Sequence, residues 1–172
     1  QDERGNSVAF ALREACQWAD TRDIKSIAVR AGHSKPETMA TLVVTSAQDK
    51  RLRAASRRAL STRVAPTSLH VNVHPRGDAF IFGRETRHIA GPERLREDLG
   101  GASFLISPTS FFQTNVRAAE ILVQQVLDAV PAGATVLDLY AGVGLFALPL
   151  ALRGHTVTAV EENRSAVTDG EA

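Results

Sequence analysis

Asp138, Gly142, Gly144 and Glu161 are the residues of this chain whose types and spacing can do chemistry. In Val136-Leu137-Asp138-Leu139-Tyr140-Ala141-Gly142-Val143-Gly144-Leu145-Phe146 an apolar run stops at an acid and then at a Gly-x-Gly pair. Glycines placed there let the backbone turn sharply and let a ligand approach main-chain atoms that a Cβ would shield. A second apolar run, His155-Thr156-Val157-Thr158-Ala159-Val160, ends at Glu161, roughly 20 residues beyond the first glycine, where a carboxylate can accept hydrogen bonds from ribose hydroxyls. That chemistry is the holding of a nucleoside-containing cofactor.

The elements that must position these residues follow in order: a strand into Leu139, the glycine turn, a helix over 145 to 152, and a strand over 155 to 160. This is the opening βα unit of a Rossmann-like sheet, with the helix directing its free N–H groups and positive dipole end at the crevice. Two cofactors stay open on these residues, as does a tight turn that holds nothing. Gly142-x-Gly144-x-x-Ala147 satisfies the relaxed dinucleotide pattern. Asp138, four residues before the first glycine, suits the ammonium of a methionyl group and sits awkwardly beside a pyrophosphate, which favours S-adenosylmethionine over a nicotinamide dinucleotide.

Composition sets the frame around that unit. The 172 residues are 44% apolar and 23% charged with a formal net charge of +1, the profile of a soluble globular protein, and no apolar run is long enough to span a membrane. The N-terminus, Gln1-Asp2-Glu3-Arg4, lacks the basic-then-apolar pattern of a secretory signal, so a cytoplasmic location is expected. The single cysteine excludes an internal disulfide and a cysteine-cluster metal site, and the helical spacing around Cys16 reads as a small buried hydrophobe. Among five histidines only His70 and His74 are spaced to share a strand face, where ladder or surface positions are expected and no metal.

In chain order, residues 5 to 19 read as an amphipathic helix and 20 to 23 as the turn that ends it. Runs over 24 to 30 and 38 to 45 read as a hairpin. Residues 47 to 60 carry Lys50, Arg51, Arg53, Arg57 and Arg58 at helical spacing. Lys50, Arg53 and Arg57 fall on one stripe that could lie against phosphates, but with so small a whole-chain charge a solvated face is the expectation. A strand over 69 to 73, a turn at Pro75-Arg76-Gly77-Asp78 and a strand over 79 to 83 follow, and runs over 95 to 99 and 102 to 106 flank Gly100-Gly101, a hairpin dipeptide. Asn115 can cap a helix over 116 to 130 whose apolar positions 119, 122, 123, 126 and 127 make one face. Residues 1–112 are therefore expected to form an antiparallel, β-rich α+β central domain, and 113–172 the first part of an α/β Rossmann-like domain.

Three segments resemble a known family. Ser107-Pro108-Thr109-Ser110-Phe111-Phe112-Gln113-Thr114-Asn115, the cofactor loop Asp138-Leu139-Tyr140-Ala141-Gly142-Val143-Gly144-Leu145-Phe146, and the stretch from Gly83 to Ile106 that ends in a Gly-Gly-x-x-Phe-x-Ile-Ser pattern are similar to the S-adenosylmethionine-dependent RNA (uracil-C5) methyltransferases, which make 5-methyluridine in tRNA and rRNA. The resemblance implies an S-adenosylmethionine-binding methyltransferase domain, incomplete in this chain, with cofactor contacts at Gln113, Tyr140 and Glu161 and the turn from Gly142 to Leu145 near the methionine end. Leu145 departs from members that carry an amide there. In the family a cysteine adds to C6 of the uracil and a glutamate removes the C5 proton, both well downstream of the glycine loop. No catalytic residue is therefore expected in this chain, and Cys16 lies in the wrong part of it.

The implied protein is a fragment of an RNA methyltransferase acting on a uridine in tRNA or rRNA, with RNA as partner and no membrane. Its half-built parallel sheet would invite self-association or belong to something longer. The alternatives are a non-catalytic RNA-binding or interaction module that keeps the central domain, and a nicotinamide-dependent oxidoreductase.

Overall fold

The computed structural model describes residues 2–18, 23–46, 50–75, 77 and 79–172, so most of the turn expected at 20 to 23, and Arg76 and Asp78 of the later turn, lie outside the described residues. The chain divides into two compact units, Gln1–Gly32 with Pro36–Leu95, and His33–Lys35 with Arg96–Ala172. The boundary expected at residue 112 therefore falls inside the second unit.

In the first unit, α1 (Glu3–Trp18) precedes β1 (Ile24–Ala31), β2 (Thr38–Val44), α2 (Lys50–Leu60), β3 (Ser68–Val73) and β4 (Glu85–Ala90), and the four strands lie in the order β1-β2-β3-β4. α1 buries Val8, Leu12, Ala15 and Cys16, a stripe at helical spacing, in a core with Leu42, Val44, Leu69 and Val71 of the sheet and Leu52 and Ala59 of α2. Cys16 is thus the buried hydrophobe its spacing suggested.

Two expectations fail in this unit. The sheet is mixed: β1 with β2 and β3 with β4 are antiparallel, but β2 and β3 run parallel, with Leu42 opposite Val71. The cause is α2, which forms the helical crossover that a parallel pair requires. The last strand is at Glu85–Ala90, not 79 to 83. Asn72 intercepts the chain first: its Oδ1 accepts from Gly83 N at 2.6 Å and its Nδ2 donates to Gly83 O at 3.0 Å. Gly83 there lies so near the β3 backbone that a Cβ would meet Val73 O at 1.9 Å, which leaves Phe80 and Ile81 in an exposed loop.

The second unit contains β5 (Leu95–Leu99), β6 (Ala102–Ile106), α3 (Val116–Ala129), β7 (Thr135–Leu139), α4 (Ala147–Leu152), β8 (Thr156–Val160) and α5 (Arg164–Gly170). β5 and β6 pair around Gly100 and Gly101 at φ +61° and +82°, as the dipeptide predicted. This hairpin goes with the second unit because its turn packs on α3, where a Cβ on Gly100 would meet Val123 Cγ1 at 2.8 Å, and because β6 contacts α4 and α5. Asn115 caps α3, its side chain accepting from Ala118 N at 3.1 Å, and Ala119, Val123 and Leu127 form the buried face while Leu122 stays exposed. α4 starts two residues later than expected, and α5 was not foreseen. β7 and β8 pair in parallel from Thr135 opposite Thr156 to Leu139 opposite Val160.

Candidate cofactor site at the ends of β7 and β8

The parallel register brings the carboxyl ends of β7 and β8 side by side, so Leu139 and Val160 release their chains at the same level. In parallel α/β sheets ligands bind beyond such ends. Three left-handed residues build the turn after β7: Tyr140 at φ +60°, Gly142 at +59° and Gly144 at +87°. The glycines adopt that conformation at little cost, whereas Tyr140 carries strain of the kind that collects at ligand clamps. The residue is 89% exposed, so burial does not offset the strain.

The turn is braced from β8. Ala141 N donates to Val160 O at 3.1 Å, and Gly144 N closes the turn on Ala141 O at 2.9 Å. Glu161 Oε2 accepts from Gly142 N at 2.8 Å, and Oε1 from Asn163 N at 2.8 Å. The N–H groups of Asn163 and Gly142, in that order, hold the Glu161 carboxyl below the usual glutamate range. Sequence reasoning reserved this carboxylate for ribose hydroxyls; here its first partners are backbone amides. The Glu162 N–H adds to them, and a carboxylate with about four lone-pair sites keeps room for one further hydrogen bond.

Asp138 lies in β7 itself, two residues before Tyr140. Burial raises its carboxyl above the usual aspartate range, opposed only by a hydrogen bond from the Ala147 N–H at the start of α4. Its Oδ2 is buried and accepts no hydrogen bond. A buried carboxylate oxygen without a donor calls for a cation or a strong donor. Above Gly142 a Cβ would meet nothing within 4 Å, so the turn opens onto space, while at Gly144 it would press on Leu148 Cγ at 3.1 Å. An orphaned acid, an open glycine and a second acid with room for a further hydrogen bond fit a ligand with an ammonium at one end and a hydroxyl-bearing ribose at the other.

The structure thus gathers Asp138, Tyr140, Gly142, Gly144 and Glu161 on one turn and its brace. Gln113 stands apart from that hydrogen-bonded set, half-buried two residues before the α3 cap. Its segment is anchored by residues that the sequence did not flag. Asp169 of α5, itself buried, accepts from Ser107 N, Ser107 Oγ and Ser110 Oγ, each at 2.6 Å, and Ser165 Oγ lies 3.2 Å from Ser110 Oγ. α5 also reaches the glycine turn, since a Cβ on Gly170 would lie 3.3 Å from Val143 O. The one local signal for α5 was Asn163, which caps it by accepting from Ser165 N and Ala166 N.

No protein-family model matches the chain. It is 31% identical over 164 residues to an uncharacterized RNA methyltransferase of Streptococcus mutans, a match covering 94% of this chain and 36% of that protein. It is 34% identical over 176 residues to an uncharacterized RNA methyltransferase of Thermosynechococcus vestitus, covering 97% of this chain and 39% of the relative. The chain therefore spans little more than a third of the length of these relatives. Among solved structures it is similar to the Pyrococcus abyssi tRNA (uracil-54, C5)-methyltransferase in complex with S-adenosyl-L-homocysteine, at 27% identity and a TM-score of 0.69, covering 87% of this chain and 36% of that one.

Proposed function

We propose that this chain is part of a methyltransferase that modifies RNA, and that its second unit holds S-adenosylmethionine at the ends of β7 and β8. The observation that carries the reading is the buried, unpartnered Oδ2 of Asp138 beside an open glycine turn. Asp138 receives the methionyl ammonium, Glu161 receives the ribose hydroxyls while bracing Gly142, and the exposed Tyr140 ring covers the ligand. When bound, the cofactor supplies a methyl group on a sulfonium; this chain's residues bind and orient it. Similarity to RNA methyltransferases over nearly the whole chain, and to one solved with S-adenosyl-L-homocysteine, supports the cofactor and RNA as substrate.

The finer reading is transfer to C5 of a uridine in tRNA or rRNA. It is supported by the signature segment from Ser107 to Asn115 and by the solved uracil-C5 relative. Cys16, buried in the α1 core of the first unit, has no access to a substrate and is no nucleophile for that reaction.

Isothermal titration of the chain with S-adenosyl-L-homocysteine tests the cofactor; binding by the wild type and loss in Asp138→Ala are expected, and a wild type that binds the nicotinamide dinucleotide instead would sink the reading. For the reaction, the protein encoded by the complete open reading frame is incubated with RNA carrying tritium at uracil C5. Release of tritium to water reports C5 methylation, and methyl incorporation without release would place the methyl group elsewhere.

A further inference from the structure

We propose that the outward face of α2 is a contact surface for an RNA backbone, with Arg53 and Arg57 neutralising phosphates. This rests on the reading of the chain as part of an RNA-modifying protein and adds a surface that lies in the other unit from the cofactor turn. Leu52, Ala55, Ser56 and Ala59 are buried, which turns Arg53, Arg57 and Arg58 to the exposed side. Arg53 and Arg57 stand four residues apart, about 6 Å along the helix axis, on one stripe.

Charge along the chain is segregated around this helix. From Lys50 to Gly77 there are seven Lys and Arg and no Asp or Glu, while the rest of the chain holds thirteen basic against nineteen acidic residues. The net charge of +1 therefore conceals a strongly basic segment in an otherwise acidic chain, which removes the reason for regarding α2 as an ordinary solvated face.

Helix stability accounts for only part of the pattern. The first turn contains no acid and carries Arg53, whose charge opposes the helix dipole, whereas Arg57 and Arg58 in the last turn favour it. Like charges at the spacing of Arg53 and Arg57 repel by a few tenths of a kcal/mol. A basic face that lacks acids and sets Arg53 against Arg57 is matched by a polyanion with regularly spaced charges.

The test is fluorescence anisotropy of a labelled tRNA transcript titrated with the 172-residue chain at several salt concentrations, for the wild type, R53E/R57E and R53Q/R57Q. Loss of two phosphate contacts should reduce the slope of log affinity against log salt by about 1.5 in both variants. The charge-reversed variant should bind at least about tenfold more weakly, with thermal unfolding and S-adenosyl-L-homocysteine binding unchanged. Wild-type affinity and slope in both variants, no RNA binding by the wild type, or equally tight binding of polyglutamate would each overturn the inference. Arginine-dependent RNA binding in a chain that binds no S-adenosyl-L-homocysteine would uphold this surface while defeating the cofactor reading.

Discussion

Glu161 Oε2 accepts the amide hydrogen of Gly142 at 2.8 Å, so the acid that ends β8 holds the glycine turn that ends β7. The same carboxylate binds Asn163 N, which fixes the start of α5. One side chain therefore sets the position of both walls of the crevice before any ligand arrives. Glu161→Ala should weaken S-adenosyl-L-homocysteine binding about 10- to 100-fold, as expected for losing charge-assisted hydrogen bonds of about 1.5 to 3 kcal/mol. Calorimetric affinity within twofold of wild type would exclude this role. Because the folded carboxyl lies below the usual range, the brace is present at neutral pH and is lost only as pH falls through that lowered value.

Gly142 sits at φ +59° with open space where a Cβ would project. Gly142→Ala should cost about 1 to 2 kcal/mol of stability from the left-handed conformation alone, visible as a lower urea midpoint. Gly142→Val should also fill the crevice and abolish ligand binding. A valine variant that still binds would show that the ligand lies elsewhere.

Asp138 keeps a charge where burial opposes it, so Asp138→Asn should raise the stability of the ligand-free chain at pH 7 while weakening S-adenosyl-L-homocysteine binding at least about tenfold. The sign follows from linkage. With the folded pKa raised, the folded state binds more protons than the unfolded one from about pH 3.8 upward, so stability falls as pH rises through the folded value. The asparagine variant should lack that fall. Urea unfolding across pH, with and without ligand, checks both parts.

His70 is buried in β3, 2.7 Å from Ser68 Oγ and with its ring centroid 5.3 Å from that of His88 on β4. Desolvation first and the His88 charge second lower its pKa from 6.5 to about 4, with Glu93 and a hydrogen bond to the Pro92 backbone acting the other way. The unfolded chain therefore binds the extra proton between about pH 6.5 and 4, and the first unit should lose stability as pH falls through that window. His70→Asn should flatten this dependence, as read from urea midpoints at pH 7 and 4.5.

Asp169 ties the segment from Ser107 to Ser110 to α5 through three hydrogen bonds of 2.6 Å. Asp169→Ala should cost about 3 kcal/mol by removing the acceptor shared by Ser107 N, Ser107 Oγ and the buried Ser110 Oγ. Amide exchange around Ser107 should accelerate with the rest of the second unit less affected. Uniform exchange rates across the unit would mean that the tie is merely one of many.

The sequence by itself determined the features governed by local chemistry. A strand that stops at an acid, two glycines that tolerate positive φ, a Gly-Gly hairpin and an asparagine cap each depend on residues a few positions apart, and all of them stand where their residues pointed. Only the tertiary structure decided the pairings between distant residues. The parallel run of β2 beside β3 follows from α2 lying across the sheet, and the late start of β4 from the Asn72 clamp on Gly83. Asp169 meets Ser107 across 62 residues, and the β5–β6 hairpin joins the second unit through α3, α4 and α5. Period and turn chemistry are written within a few residues, but the choice of partner depends on which surfaces are buried together, and no local pattern carries that information.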